Sequence, residues 1–203
     1  ARGSADMKVF CALALAEFDG IARERAQDLQ RPLHLLLTYD EELGCFGAKN
    51  WVKTYGNQLE PPDLVLVGEP TNMRAAVAHK GIRCFNAAVK GCGGHSSNPA
   101  NGISAIEHTL DFLAVVRTVA EQFRQAGIQD LRFEPPHTTV NLGTINGGSA
   151  VNVIPDECRF SFETRPVPGH SGQDLVDALH RAFKKAREET GGRLQIDIED
   201  SIL

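Results

Sequence analysis

Four acidic side chains stand at points from which the chain could bring them to one place. Glu41 and Glu42 directly follow a short apolar run, Glu69 directly follows a second one, and Asp6 precedes a segment rich in Ala and Leu. The carboxyl ends of parallel strands meet at one edge of a sheet, where ligands gather. Clustered carboxylates repel one another unless a cation neutralises them. The pattern predicts either a metal site or, as the plainer alternative, helix caps and solvated turns.

The kind of metal depends on what joins these oxygens. Carboxylates alone suit magnesium, calcium or manganese, and they suit zinc when histidines complete the site. One bridging carboxylate, one terminal ligand for each metal and a nearby free carboxylate as base would make a two-metal hydrolytic site. The sequence pattern alone leaves the choice of metal open.

Apolar patterning predicts the elements that must position these acids. A helix dense in apolar residues is expected over residues 7–26, buried on much of its surface. Continuous apolar runs at 33–38 and 63–67 are typical of strands covered on both faces, and a short helix is expected at 43–55. Strand, helix and strand in this order indicate a βαβ unit of a parallel sheet. Residues 1–77 are thus predicted to form part of a larger α/β domain.

The second half of the chain follows a different pattern. Period-two alternation is clearest at 157–165, and apolar residues recur at helical spacing over 102–125. A capping box at Ser171–Asp174 is expected to begin a second helix. The predicted elements are strands at 81–90, 138–145, 157–165 and 194–198, with helices at 102–125 and from Ser171 to Gly191. The order β-α-β-β-α-β predicts a complete α+β, ferredoxin-like domain over residues 78–203.

Composition narrows the classes of partner. The chain has 203 residues, 42% of them hydrophobic, and a formal net charge of -5. This balance gives no basic excess for nucleic-acid phosphates. No apolar run approaches the roughly 18 residues that a membrane helix needs. The five cysteines are scattered without a CxxC pair, which favours reduced thiols in the cytoplasm over a disulfide framework.

Six short motifs, in order along the chain, resemble the signatures of one enzyme family. They lie at residues 2–8, 38–45, 67–71, 78–81, 94–99 and 147–155. The family is that of the zinc-dependent peptidases and deacylases, which includes acetylornithine deacetylase, succinyl-diaminopimelate desuccinylase, aminoacylase and the glutamate carboxypeptidases. The Glu-Pro-Thr and Ala-His-Lys-Gly stretches are most similar to acetylornithine deacetylases, which implies removal of the acetyl group from N-acetylornithine in arginine biosynthesis.

The resemblance implies roles for the four acids. Asp6 matches the carboxylate that bridges two zinc ions, for which cobalt can substitute, and Glu42 and Glu69 match their terminal ligands. Glu41 matches the general base, which takes a proton from the metal-bound water and passes it to the leaving amine. Residues 1–77 would then be a partial metallo-hydrolase catalytic domain.

Three further residues match positions of the family's lid domain. His95 resembles a histidine that reaches into the partner subunit's active site and stabilises the tetrahedral oxyanion, which implies a homodimer joined through lid domains. Asn152 and Arg165 resemble positions that contact substrate, and Arg165 could bind a carboxylate through two parallel bonds. Without the resemblance, a lone histidine in a Gly-rich turn such as His95 is usually a solvated or capping residue. Arg165 is equally an ordinary edge-strand charge.

The family pattern also includes metal-ligating histidines upstream of Asp6 and downstream of Leu203. The 203 residues alone are therefore expected to hydrolyse little or nothing. Two alternatives stay open beside acetylornithine deacetylation. One is hydrolysis of another N-acyl amino acid, such as succinyl-diaminopimelate, and the other is a dimerisation module without catalysis.

Overall fold

The computed structural model describes residues 2–201. The chain divides into two compact units, residues 1–77 and residues 78–203. Within the described residues, every buried hydrophobic side chain lies between Phe85 and Leu194. The hydrophobic core is therefore a property of the second unit.

The first unit contains two α-helices. A short irregular turn, Ser4–Lys8, leads into α1, Val9–Glu24, and α2 spans Phe46–Tyr55. Both helices lie within the predicted ranges. The predicted burial of α1 is wrong, because none of its residues is buried and Leu13 and Leu15 are 61% and 51% exposed. Residues 2–77 form no sheet of their own that could cover its apolar side chains.

The two predicted strands of the first unit are also wrong. No strand is formed anywhere in residues 2–77, and Leu64 and Leu66 are 82% and 77% exposed. A strand persists only where a neighbour takes up its backbone N–H and C=O groups. The segments 33–38 and 63–67 meet no such neighbour, so the predicted βαβ unit does not form and an α/β catalytic domain is not confirmed.

The second unit contains the predicted succession of elements and two additional short strands. In chain order they are β1 Arg83–Lys90, β2 Gly94–His95, α3 Ala105–Ala126, β3 Thr139–Gly147, β4 Val153–Ile154, β5 Glu157–Arg165, α4 Gln173–Glu189 and β6 Gln195–Ser201. The long strands form one sheet in the order β3-β5-β1-β6, with neighbours antiparallel. Without β2 and β4 the order is β-α-β-β-α-β, that of a ferredoxin-like sandwich.

The core lies between the sheet and the two helices. As its alternation predicts, β5 buries one face and exposes the other. The rings of Phe85 and Phe162 stack with centroids 4.6 Å apart on neighbouring strands, and Phe112 of α3 meets Phe183 of α4 edge-on at 4.7 Å. Aromatic pairs in these geometries add to the free energy gained by burying their area. This core fixes β5, the strand that ends at the candidate lid residue Arg165.

The capping box predicted at Ser171–Asp174 is not the start of α4. Gly172 occupies the N-cap position with φ 69°, and no side chain caps the helix. A positive φ favours glycine because other residues meet steric strain there. The hydroxyl of Ser171 lies one residue too early and accepts the N–H of Gln173 at 3.2 Å instead.

Candidate functional site

Asp6 and Glu69 come close because a glycine packs against the beginning of α1. A Cβ at Gly68 would lie 2.1 Å from the Phe10 ring and 2.5 Å from Met7 Cε. Asp6 lies in the turn before α1, at backbone angles that are not helical. A larger residue at position 68 would have to displace the Phe10 and Met7 side chains, so the glycine lets the next residue, Glu69, lie in the neighbourhood of Asp6.

Glu41 and Glu42 lie in the turn that leads into α2. The carbonyl of Glu41 accepts the N–H groups of Gly44 and Cys45, both at 3.0 Å. Cys45 has a φ of 58° and reverses the chain immediately before the helix. The two adjacent carboxylates are exposed at this tight turn.

The four acids share one electrostatic neighbourhood. The pKa of Glu69 is raised from its ordinary value of 4.5, first by desolvation and then by the negative charges of Asp6, Glu41 and Glu42. The side chain is nevertheless largely exposed, so solvent screens much of this repulsion. The structure thus brings the predicted acids near one another without packing them together.

This arrangement does not fit a metal ion as it stands. Within residues 2–201, no three His, Cys, Asp or Glu side chains lie close enough together to hold one. A zinc site usually takes four ligands at about 2.0–2.3 Å. Asp6, Glu42 and Glu69 interact as charges, and they are not arranged as a ligand set.

A titration tests this electrostatic neighbourhood. We expect the Glu69 carboxyl to titrate above 4.5 and its pKa to fall when Asp6→Asn removes one neighbouring charge. Because the raised pKa favours the protonated form in the folded chain, its contribution to stability is lost as pH rises from 4.5 through the folded value. Side-chain carboxyl ¹³C NMR measures both shifts. Glu24→Gln, at the end of α1, is the control, and an unchanged Glu69 pKa in Asp6→Asn would contradict the grouping.

The short strands β2 and β4 bring two predicted lid residues together. His95 pairs with Val153, and the N–H of Ser96 donates to the carbonyl of Asn152 at 3.1 Å. The N–H of Asn98 donates to the carbonyl of His95 at 3.1 Å and closes the turn that follows. His95 and Asn152 are both exposed on this ribbon.

The imidazole of His95 is held by one neighbour. Its Nδ1 lies 2.8 Å from the hydroxyl of Ser97 and accepts the Ser97 backbone N–H at 3.2 Å. Both bonds are made on the same ring nitrogen. The Nε2 side of this exposed ring is therefore the side available to a ligand.

Arg165 is held in a comparable way on β5. Its Nε and Nη2 donate to the two carboxylate oxygens of Glu163, both at 3.2 Å. The Arg165 and Glu163 side chains are 46% and 29% exposed and lie on the face of the strand opposite the buried Phe162. The guanidinium thus already holds a carboxylate in the two-bond geometry predicted for a substrate.

The predicted lid residues lie toward opposite ends of β5. Asn152 precedes β4, only a few residues before β5 begins at Glu157, whereas Arg165 ends β5. At a rise of about 3.3 Å per residue, the length of β5 separates its two ends by roughly 26 Å. One small substrate cannot contact both ends of β5 in the same chain.

Comparison with known proteins identifies the architecture of the second unit. Residues 77–191 match the family model described as the peptidase dimerisation domain. The chain belongs to this family. The match covers the elements from β1 to α4 and ends before β6.

Relatives of this chain extend the similarity into the first unit. The acetylornithine deacetylase of Buchnera aphidicola subsp. Acyrthosiphon pisum (strain Tuc7) is 36% identical over 167 residues, which are 82% of this chain and 42% of that protein. The acetylornithine deacetylase of Proteus mirabilis (strain HI4320) is 34% identical over 195 residues, 96% of this chain and 49% of that protein. The chain spans less than half the length of these curated relatives.

Solved structures share the fold. A putative aminohydrolase from methicillin-resistant Staphylococcus aureus has a TM-score of 0.50 at 22% identity, covering 61% of this chain and 30% of that one. A putative amidohydrolase/peptidase from Burkholderia cenocepacia has the same TM-score at 21% identity, covering 61% and 28%. At these identities the likeness concerns the fold alone.

Two residues of the site escaped the sequence reasoning. Ser97 stands two residues after His95, a spacing that allows a side chain to reach back to the ring. Glu163 stands two residues before Arg165 on the same face of a strand with clear alternation. Both spacings were readable as local contacts.

Among the helices of residues 2–201, none has the length and apolar character needed to cross a membrane.

Proposed function

We propose that this chain is the dimerising, lid-bearing part of an amidohydrolase that cleaves N-acyl amino acids, with N-acetylornithine as the first substrate to test. The support is the peptidase dimerisation fold together with two relatives named acetylornithine deacetylase at 34% and 36% identity. Substrate and acid product both carry carboxylates, which a guanidinium such as that of Arg165 binds with two parallel bonds.

The observation that carries the proposal is the separation of the lid residues along β5. His95 and Asn152 lie beside its beginning and Arg165 lies at its end. If all three contact one substrate, the His95 and Asn152 pair must come from one chain and Arg165 from another. The proposed active unit is accordingly a homodimer in which each chain contributes to both sites.

Edge strand β3 supports the same assembly. It lies at the end of the sheet and carries no charged residue. Leu142 and Ile145 pair with the buried Phe162 and Phe160, yet they are themselves 40% and 50% exposed. An uncharged edge with partly exposed apolar side chains is a template for pairing with a second strand. A second copy of this chain would cover it.

In the proposed reaction the residues of the chain divide the work by chemistry. The Nε2–H of His95 would donate to the oxygen that becomes negative when the amide carbonyl is attacked. Asn152, beside it, would hold the amide, and Arg165 would hold the substrate carboxylate. Glu41 would take a proton from the attacking water and pass it to the leaving amine.

The proposal includes a metal requirement for the whole enzyme. Asp6, Glu42 and Glu69 are the proposed carboxylate ligands of two zinc ions, with cobalt as a substitute. Because these side chains form no ligand cluster within residues 2–201, we assign them no catalytic step in the chain by itself. The isolated chain is expected to show no measurable deacetylation.

A domain exchange tests the function. The chain alone is compared with a chimera. In the chimera, residues 78–203 of this chain replace the aligned segment of the Proteus mirabilis acetylornithine deacetylase. We expect the chimera to release acetate from N-acetylornithine in a zinc-containing buffer and the chain alone to release none. Succinyl-diaminopimelate, tested in parallel, separates the substrate classes.

The same exchange decides between the two classes of function. A dimerisation module without catalysis is favoured by the contrast between the packed second unit and the exposed apolar side chains of the first. A chimera that is folded and dimeric but inactive on both substrates would support that module. Turnover by the chain alone at an enzyme's usual rate, on the order of 10 per second, would contradict its expected inactivity.

A further inference from the structure

Ser97 makes two hydrogen bonds to a single atom of His95. The backbone N–H of Ser97 lies 3.2 Å from His95 Nδ1, and the Ser97 hydroxyl lies 2.8 Å from the same nitrogen. Within residues 2–201 no other group bonds to this ring, and no carboxylate is among its partners. All hydrogen bonds of the ring among these residues therefore come from one uncharged residue two positions along the chain.

The direction of these bonds follows from the chemistry of the donors. A backbone N–H can only donate, so Nδ1 must accept with its lone pair. A neutral imidazole carries one proton, and a lone pair on Nδ1 places that proton on Nε2. The Ser97 hydroxyl can rotate, and beside an accepting nitrogen it donates as well. A proton on Nδ1 would abolish the backbone bond and force the hydroxyl to turn around.

The backbone holds this pair in place. The strand pairing of His95 with Val153 fixes the position from which the ring projects. The N–H of Asn98 bonds to the carbonyl of His95 at 3.1 Å, and the N–H of Ser96 bonds to the carbonyl of Asn152 at 3.1 Å. Ser97 lies between these two anchored amides. Its hydroxyl and its N–H are therefore directed at the ring by a turn that is closed on both sides.

We infer that Ser97 is a positioning residue that fixes His95 with its proton on Nε2. The exposed Nε2 side of the ring then presents a neutral N–H donor. The Nδ1 side, which carries no proton, faces the backbone turn that contains Ser97. The use of this donor on an oxyanion rests on the proposed function. The tautomer itself is a property of the chain and is measurable without any catalysis.

Tautomer and catalysis are measured separately. Long-range ¹H–¹⁵N correlation spectra of the ¹⁵N-histidine-labelled chain, recorded where imidazoles are neutral, show which ring nitrogen carries the proton. We expect His95 to have its proton on Nε2. Ser97→Ala keeps the backbone bond to Nδ1 and loses the hydroxyl bond, so it should add a detectable minor population with the proton on Nδ1. In the chimera, Ser97→Ala should lower kcat for N-acetylornithine about threefold to tenfold, the effect of one hydrogen bond, with little change in KM.

Two matched variants complete the test. Ser97→Thr keeps a hydroxyl at the same position and should restore both the single tautomer and kcat. Ser96→Ala removes the neighbouring hydroxyl but keeps its backbone bond to Asn152, so it should change neither. A tautomer mixture in the unaltered chain, or a single Nε2–H form in Ser97→Ala, would overturn the inference. An inactive chimera with the expected spectra would count against the proposed function alone.

Discussion

Replacement of His95 by alanine in the chimera is expected to lower kcat for N-acetylornithine by about 10²- to 10³-fold, the usual loss when one oxyanion donor is removed. The ring is exposed on the β2–β4 ribbon and makes its only bonds within residues 2–201 through Nδ1. Its removal should therefore cost transition-state binding without unfolding the lid. Initial-rate kinetics should show a fall in kcat with KM nearly unchanged.

The His95→Ala prediction has a control variant and outcomes that would contradict it. His180→Ala removes an exposed histidine of α4 and should leave kcat unchanged. A His95→Ala variant with unaltered kcat would exclude the oxyanion role. A rise in KM alone would make His95 a residue that binds substrate and transition state equally.

Mixed dimers extend this prediction to the separation of the lid residues. If His95 serves the partner's site and Arg165 the site of its own chain, a dimer of one His95→Ala chain and one Arg165→Ala chain retains one intact site. Equal mixing of the two inactive variants should then restore about a quarter of the wild-type activity, because half of the dimers are mixed and each has one working site of two. No recovery after subunit exchange would contradict the two-chain site.

The second unit could be predicted from the sequence because its pattern is local. The alternation along residues 157–165 places Phe160 and Phe162 on one face whatever else the chain does, and the structure has β5 at these residues. The helical spacing at 102–125 likewise yields α3 with small shifts at its ends. Local periodicity and long-range packing favour the same fold here.

The first unit could not be predicted in the same way. An apolar run such as 63–67 indicates burial only if other strands are present to cover it. In the described residues none is, and Leu64 and Leu66 remain exposed. The acids still come near one another because close packing at Gly68 carries Glu69 toward Asp6, a contact that no periodicity encodes.

The candidate lid residues were found through motif resemblance, and their geometry was not foreseen. Strands of two residues, such as β2 and β4, have no period to detect, so the pairing that joins His95 to Val153 was not predicted. Ser97 and Glu163 are ordinary polar residues by type. Only the bonds they make to His95 and Arg165 give them a role.

The largest expected effect on stability comes from Phe160→Ala in the second unit. Phe160 is 1% exposed, pairs with Ala87 of β1 and Ile145 of β3, and belongs to the core between sheet and helices. Truncation of such a ring leaves a cavity and costs about 3 to 5 kcal/mol of unfolding free energy. A small domain has about 5 to 15 kcal/mol in total, so this variant should lose much of its cooperative unfolding transition.

The measurement must follow the second unit alone. The single tryptophan, Trp51, lies in α2 of the first unit, so its fluorescence does not report on this core. Urea titration followed by far-ultraviolet circular dichroism of residues 78–203, which contain every buried hydrophobic side chain of the described residues, does. Phe46→Ala, which removes a 54% exposed ring from the first unit, is the matched control in the full chain and should change stability by no more than about 0.5 kcal/mol. Equal losses in both variants would mean that the first unit shares the core. The conclusion that the second unit is stabilised by its own core would then be wrong.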